Sequence, residues 1–291
     1  MEIRPVHPSF VGEVSGIDLR RTLSAAEVAA IEAGMDQYGV LVFHDQPVSD
    51  EEQVAFSLNF GQLEATLANV TKPEERRLKL NIADISNLDR DNKLLARDDR
   101  RRMFNLGNLL WHSDSSFKAT PAKYSLLSAR AIPARGGDTQ FADMRAAYDA
   151  FDEATRAEIE DLITEHSLLY SRSLLGFAEF EPEERRAFAP VRQRLVRTHP
   201  VTGRKSVFLS SHIGTIVGWP MPEARALIRD LMEIATAPEF VHAHVWRQGD
   251  LVMWDNRTTM HRARRYNDTG EVRDMRRTTI EGVATVMEQA A

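Results

Sequence analysis

Beyond residue 60 the sequence is cut into short apolar runs of strand length, separated by turn residues, with no regular alternation of strand and helix. The clearest runs cover residues 78–85, 124–129, 138–141, 195–200, 206–209, 240–246, 251–254 and 276–283. A parallel sheet needs a crossover helix between successive strands, and too few helical patterns remain to supply them. The order therefore predicts a mainly β fold with flanking helices, an antiparallel sandwich or barrel with the helices packed outside. Thr202-Gly203-Arg204 marks a hairpin, and Gly249-Asp250 a turn between two of the last strands.

The first sixty residues read β-α-β-α. Ser24 with Glu27 and Ser49 with Glu52 are capping boxes that open two helices. Gly39 ends the first helix, and Val40-Leu41-Val42-Phe43 after it has the continuous apolar character of a buried strand. Further helices are expected over residues 144–151 and 153–163, with Asp152 as a cap, and from Pro222 onward. Residues 89–102 read as a charged excursion, 167–173 as strand or loop, and 177–189 as irregular. Residues 63–77 lose all periodicity and read as a substrate loop. With no repeat and no low-complexity linker, residues 1–291 are expected to form a single domain.

Composition narrows the chemistry. There is no cysteine, which removes disulfides, thiolate metal sites and thiol nucleophiles, and fits a reducing compartment. The net charge of −6 is spread without basic or acidic tails, so nothing supports a nucleic-acid partner. No run approaches the ~20 apolar residues of a spanning helix, and the N-terminus lacks a signal-peptide core. No membrane association and a cytoplasmic location are the expectations.

Any metal site must then use nitrogen and oxygen ligands. His112 and Asp114 stand two apart in Leu110-Trp111-His112-Ser113-Asp114-Ser115-Ser116-Phe117, and on an extended strand they would share a face. An imidazole and a carboxylate suit Fe(II) or Mn(II) and tolerate Zn(II), and a second histidine would complete a 2-His-1-carboxylate facial triad. The pair is short enough to arise by chance, so context decides. His166, His199, His212, His242, His244 and His261 are the possible partners. His166 reads as a core or surface residue. His242 and His244 could bind a metal as H-x-H, yet their alternation with Val241, Ala243 and Val245 also fits the wet face of a strand. His261 differs, because Arg273 and Arg277 follow it, four apart on one strand face, where they could hold anions beside a metal.

These residues carry a resemblance. His112-x-Asp114, the distant His261, Gly136-Gly137-Asp138-Thr139-x-Phe141 and Trp254-Asp255-Asn256-Arg257 resemble the taurine dioxygenase family of Fe(II)/2-oxoglutarate-dependent oxygenases. The likeness runs nearly end to end and is strongest to its phenoxyalkanoate dioxygenases. It implies a double-stranded β-helix, or jelly roll, with Fe(II) on His112, Asp114 and His261, and with O2 and 2-oxoglutarate as cosubstrates. It implies that Thr139 and Arg273 hold the far carboxylate of 2-oxoglutarate, and that Arg277 holds an anionic substrate, with Arg276 its nearest competitor. The implied reaction is oxidative cleavage of an aryloxyalkanoate ether such as 2,4-dichlorophenoxyacetate to a phenol and glyoxylate, coupled to decarboxylation of 2-oxoglutarate to succinate and CO2. The implied partner is a small anionic aryloxyalkanoate, and the implied assembly a homo-oligomer. His199 and His212 match histidines near the family's substrate pocket. A loop lysine expected in phenoxyacetate enzymes is replaced by Asn69, with Lys72 three residues on. The competing readings are a taurine or alkylsulfonate dioxygenase, a non-catalytic jelly-roll binding protein, and a hydrolytic zinc enzyme on the same triad.

Overall fold

The computed structural model describes residues 1–65, 76–79, 81–286 and 288–289. In chain order its elements are β1 (Glu2–Pro5), β2 (Gly12–Ser15), α1 (Ala25–Tyr38), β3 (Val40–Phe43), α2 (Asp50–Ser57), β4 (Ala83–Ser86), α3 (Arg100–Asn105), β5 (Ala122–Ala131), β6 (Thr139–Asp143), α4 (Met144–Ala150) and α5 (Glu153–Ile159). Then follow β7 (Ile163–His166), α6 (Leu168–Ser173), α7 (Pro182–Ala187), β8 (Val191–Arg194), β9 (Val196–Thr198), β10 (Lys205–Val207), β11 (Ile213–Ile216), α8 (Met221–Ala235), β12 (Val241–His244), β13 (Leu251–Asp255), β14 (Thr259–Ala263) and β15 (Asp274–Glu281).

Two sheets frame the molecule. The larger has seven strands in the order β1-β2-β3-β13-β5-β15-β4, and the smaller three in the order β12-β6-β14. Apart from the parallel pair β2 and β3, their pairings are antiparallel. Side chains of the large sheet alternate between two apolar layers. Leu41, Phe43, Leu126, Leu251 and Met253 pack on Ile31, Met35 and Phe56 of α1 and α2. Val40, Val42, Leu127, Val252 and Trp254 face the other way, toward Phe141 of the small sheet. Both faces are covered, which is why these strands read as unbroken apolar runs. On the far side of the small sheet, Ala142 and Met260 join a third layer with residues of α4 and α8. The result is the expected jelly roll with helices outside.

Local signals explain most of the ends. Both capping boxes form, and Gly39 closes α1 in the left-handed region at φ 72°. The departures fall on short elements. The strand expected over 78–85 is confined to β4, and α3 interrupts the charged stretch because the Asp99 carboxylate accepts from the Arg101 amide at 2.9 Å. Residues 168–173 are helical rather than extended, started by Ser167, whose hydroxyl accepts from the Leu169 amide at 3.0 Å. Pro182 to Ala187 is α7, opened by a box of Glu181 and Glu184. Helices of six residues show less than two turns of periodicity, so only their caps betray them. Gly249-Asp250 does not join a hairpin: β12 pairs with β6, whereas β13 pairs with β3 and β5. Asp250 holds this crossing by accepting from the Arg247 amide at 2.8 Å and bonding His244 at 3.0 Å.

A methyl carbon on Gly39 would sit 3.1 Å from the Arg145 guanidinium and 3.2 Å from the Thr258 hydroxyl, in a backbone region unfavourable to any side chain. Gly39→Ala should therefore lower unfolding free energy by about 1–2 kcal/mol in urea titration. An unchanged midpoint would refute this account of the α1 terminus.

Candidate metal centre

His112 and His261 are joined by backbone before they are joined by chemistry. The His112 amide donates to the His261 carbonyl at 3.0 Å, and the His261 amide returns a bond to His112 at 2.9 Å. This single bridge stands outside the named strands on the His112 side. The extended strand expected through the motif is absent: the chain turns at Ser115, which has φ 54°, and the Asp114 amide donates to the Asn256 side chain at 2.9 Å instead of a ladder. Asp114 nevertheless comes back onto the histidines. One ligand atom from each of His112, Asp114 and His261 lies within 4.8 Å of the others, and all three residues are buried. The Asp114 carboxylate oxygens stand 3.9 Å from His112 Nε2 and 3.7 Å from His261 Nε2.

The protonation states suit a cation. His112 Nδ1 meets the Leu110 carbonyl at 2.8 Å, which fixes that nitrogen as the N–H and leaves Nε2 a lone pair toward the centre. Burial pushes both imidazoles below their ordinary value, His261 furthest, so both are neutral. Burial pushes the Asp114 carboxyl up, but the Arg277 charge beside it and a bond from Ser125 work against this, and it is held down at about 2. Two neutral imidazoles and a carboxylate, converging at a buried site with no thiolate, are a donor set that fits Fe(II) or Mn(II).

A buried chain of polar groups orients Asp114. Ser125 donates to its Oδ2 at 2.7 Å, Asn256 Nδ2 donates to Ser125 at 2.9 Å, and Trp254 Nε1 donates to Asn256 Oδ1 at 3.1 Å. Ser125 and Asn256 were not singled out from the sequence. Asn256 lies in the resemblance motif, but serines on strands are common, and only the register of β5 shows that Ser125 shares the inward face of Leu127.

Strand alternation separates Arg276 from Arg277. Thr278 and Ile280 turn toward α2 and its apolar layer, and Arg276 follows them, pairing with Asp50 at 2.8 Å and Asp274 at 3.0 Å. Arg277 points inward and pairs with Asp114. Arg273 precedes a register shift at Asp274, yet it too is buried inside, with its guanidinium carbon 5.9 Å from the Tyr266 ring centroid and no carboxylate within 4 Å among the described residues. Thr139 Oγ1 accepts from Trp246 Nε1 at 3.0 Å, which leaves its own O–H free to donate.

Two cavity lobes meet at His112 and Arg277, both far larger than a water site. One, of about 350 Å³, is lined by Thr139, Trp254, His261, Tyr266 and Arg273. The other, of about 210 Å³, is lined by Asp114, Phe104, Phe117, Leu168, Arg172 and His212, among others. His212 therefore reaches the cavity, with Nδ1 bonded to Ser171 Oγ at 2.8 Å. His199 does not line either lobe: it is buried 3.5 Å from Asp255 and 3.6 Å from Asp36. His166 is buried against Phe208, and His244 is bonded to Asp250. Asn69 and Lys72 lie outside the described residues, although Ala65 and Arg76 line the second lobe.

Comparison with known proteins agrees with this geometry. Residues 2–279 match the model of the family described as "Taurine catabolism dioxygenase TauD, TfdA family". The chain is 47% identical over 277 residues to the alpha-ketoglutarate-dependent 2,4-dichlorophenoxyacetate dioxygenase of Burkholderia sp. (strain RASC), covering 95% of this chain and 93% of that protein. It is 48% identical over 282 residues to the protein of the same name from Cupriavidus pinatubonensis, covering 97% and 98%. A crystal structure of AAD-2 in complex with Mn(II) and N-oxalylglycine superposes with a TM-score of 0.95 at 57% identity, covering 98% of this chain and 99% of that one. Among the described residues no helix is long and apolar enough to cross a membrane. The chain belongs to the taurine catabolism dioxygenase TauD, TfdA family.

Proposed function

We propose that this protein is an Fe(II)/2-oxoglutarate-dependent dioxygenase that cleaves the ether of an aryloxyalkanoate such as 2,4-dichlorophenoxyacetate. The observation that carries the reading is the convergence of His112, Asp114 and His261 between two lobes, each with its own buried arginine. The two relatives at 47% and 48% identity bear that substrate in their names, and AAD-2 was crystallised with Mn(II) and N-oxalylglycine. We further take residues 1–291 to act as one domain and the protein to work in the cytoplasm as a homo-oligomer. The family match over residues 2–279 and the lack of cysteine support the first two parts.

On this reading His112, Asp114 and His261 hold Fe(II), which with O2 and 2-oxoglutarate supplies the oxidising power for hydroxylation beside the ether oxygen. The protein's own work is placement. Arg273 offers a guanidinium fork and Thr139 a free hydroxyl hydrogen to the distal carboxylate of 2-oxoglutarate. Arg277, beside the carboxylate of Asp114, presents positive charge to the anionic end of the substrate, and this fixes the carbon next to that end near the metal. Burial of all three ligands keeps bulk water from the reacting carbon.

With Fe(II), 2-oxoglutarate and 2,4-dichlorophenoxyacetate the protein should release a phenol and succinate in equal amounts, and more slowly or not at all with taurine. Turnover of taurine alone, or phenol release without O2, would sink the reading. Asp114→Ala should reduce both products to background. Arg273→Gln should raise the KM for 2-oxoglutarate by about tenfold to a hundredfold while leaving the KM for the aryl substrate nearly unchanged; equal increases would contradict the assignment of the two lobes.

The depressed imidazoles give a pH test. A ligand histidine must lose its proton to bind metal, and His112 and His261 are held below the ordinary value of 6.5. Mn(II) affinity should stay level from pH 8 down to 6.5 and fall only on further acidification. A decline centred at or above pH 6.5 in a calorimetric titration would show that burial does not hold these rings neutral.

A further inference from the structure

Arg172 is a buried cation with no acid beside it among the described residues. It lies on α6, only 5% exposed, and no carboxylate comes within 4 Å of it among the described residues. Among the described residues its one side-chain hydrogen bond runs from Nη1 to Ser171 Oγ at 3.1 Å, and its Nε is buried without a partner. Burial alone pulls the guanidinium down to about 10. Leaving so much donor capacity unused at a buried position is costly unless something in the adjoining cavity supplies the acceptor.

The guanidinium is held in place by shape. Its central carbon stacks 4.4 Å from the Phe104 ring centroid. Gly107 also lies against it: an added Cβ there would fall 2.2 Å from both Cζ and Nη1. Gly107 has no left-handed backbone to explain it, so the glycine is there for room. A cation packed against an aromatic ring and a bare backbone has little freedom to turn elsewhere.

Burial without an acid is not by itself a binding site. Arg197 is also buried without one, but it donates to Gln193 at 2.8 Å, stacks 3.2 Å from the centre of Phe208 and does not line either lobe, so its role ends in packing. Arg172 lines the second lobe with Asp114, His212 and Arg277. Acids in that lobe are already matched, Glu64 with Lys118 and Asp84 with Arg77.

We propose that Arg172 is a second specificity-determining cation of the substrate lobe, reaching from α6 to take the carboxylate of the aryloxyalkanoate together with Arg277 from β15. This rests on the functional reading above. It divides the labour: Arg277 is tied to Asp114 and so to the metal, whereas Arg172, clamped but unpaired, discriminates for charge. A neutral analogue of the substrate would leave it without an acceptor.

The test is Arg172→Met, which keeps the contact with Phe104 and removes the charge, assayed on 2,4-dichlorophenoxyacetate and on its neutral amide. The KM for the acid should rise by about tenfold to a hundredfold, that for 2-oxoglutarate should hold, and the preference for acid over amide should fall by a similar factor. Because an unmatched buried charge is removed, the melting temperature should stay level or rise. Gly107→Ala, which pushes the guanidinium aside, should raise the same KM. An unchanged acid KM, an equal loss with acid and amide, or a variant that melts early or fails to fold would make Arg172 a structural residue and overturn the proposal. If the parent protein does not turn over any aryloxyalkanoate, the functional reading fails and takes this one with it; a parent that works beside an unaltered variant refutes only the role of Arg172.

Discussion

Two backbone hydrogen bonds between His112 and His261 are what the site depends on. They tie β14, late in the chain, to a turn that would otherwise belong to no sheet, and they set the separation of the two imidazoles without using any side-chain atom. With both rings and the Leu110 carbonyl fixed, only the carboxylate remains to be placed, and the Trp254, Asn256 and Ser125 chain does this. The metal geometry is thus written in the β14 register and in one buried amide side chain. Side chains held this way arrive already ordered, so binding a cation need not freeze them.

Charge is distributed with equal economy. Arginines on the outer side of the large sheet find acids: Arg276 of β15 pairs with Asp50 and Asp274, and Arg77, before β4, bridges Asp84 and Asp274. The arginines that face the cavity, one on β15, one just before it and one on α6, are treated differently. Arg277 pairs with a residue of the triad itself, while Arg273 and Arg172 have no acid within 4 Å among the described residues and stand beside an open lobe. Strand alternation sorts a neighbouring pair such as Arg276 and Arg277 into these two classes, because adjacent residues on a strand must face opposite ways.

Much of this was legible in the sequence. The capping boxes at Ser24 and Ser49, the stop at Gly39 and the apolar run at 40–43 are local signals, and local signals survived folding. The triad was legible only because a distant histidine carried recognisable neighbours. The rest needed three dimensions. The i, i+2 argument for His112 and Asp114 reached the right juxtaposition through the wrong backbone, since a turn and not a strand returns the carboxylate. The partner of β12 could not be read, because apolar periodicity does not say which sheet a strand joins. Ser125 and Arg172 were invisible for a simpler reason: a serine on a strand and an arginine on a six-residue helix have no distinguishing pattern until their partners, or the lack of them, can be seen.

The two lobes share a wall. Asn105, Asn108, His112 and Arg277 face both. A molecule entering one lobe therefore rests against side chains that the occupant of the other must also touch. Whatever free energy one occupant gains or loses by shifting that wall is felt in equal measure by the other, since coupling between two bound species is reciprocal. Occupancy of the two halves is in this sense a single joint property of the partition between them, and the order in which they fill becomes a matter of which occupant first sets the wall.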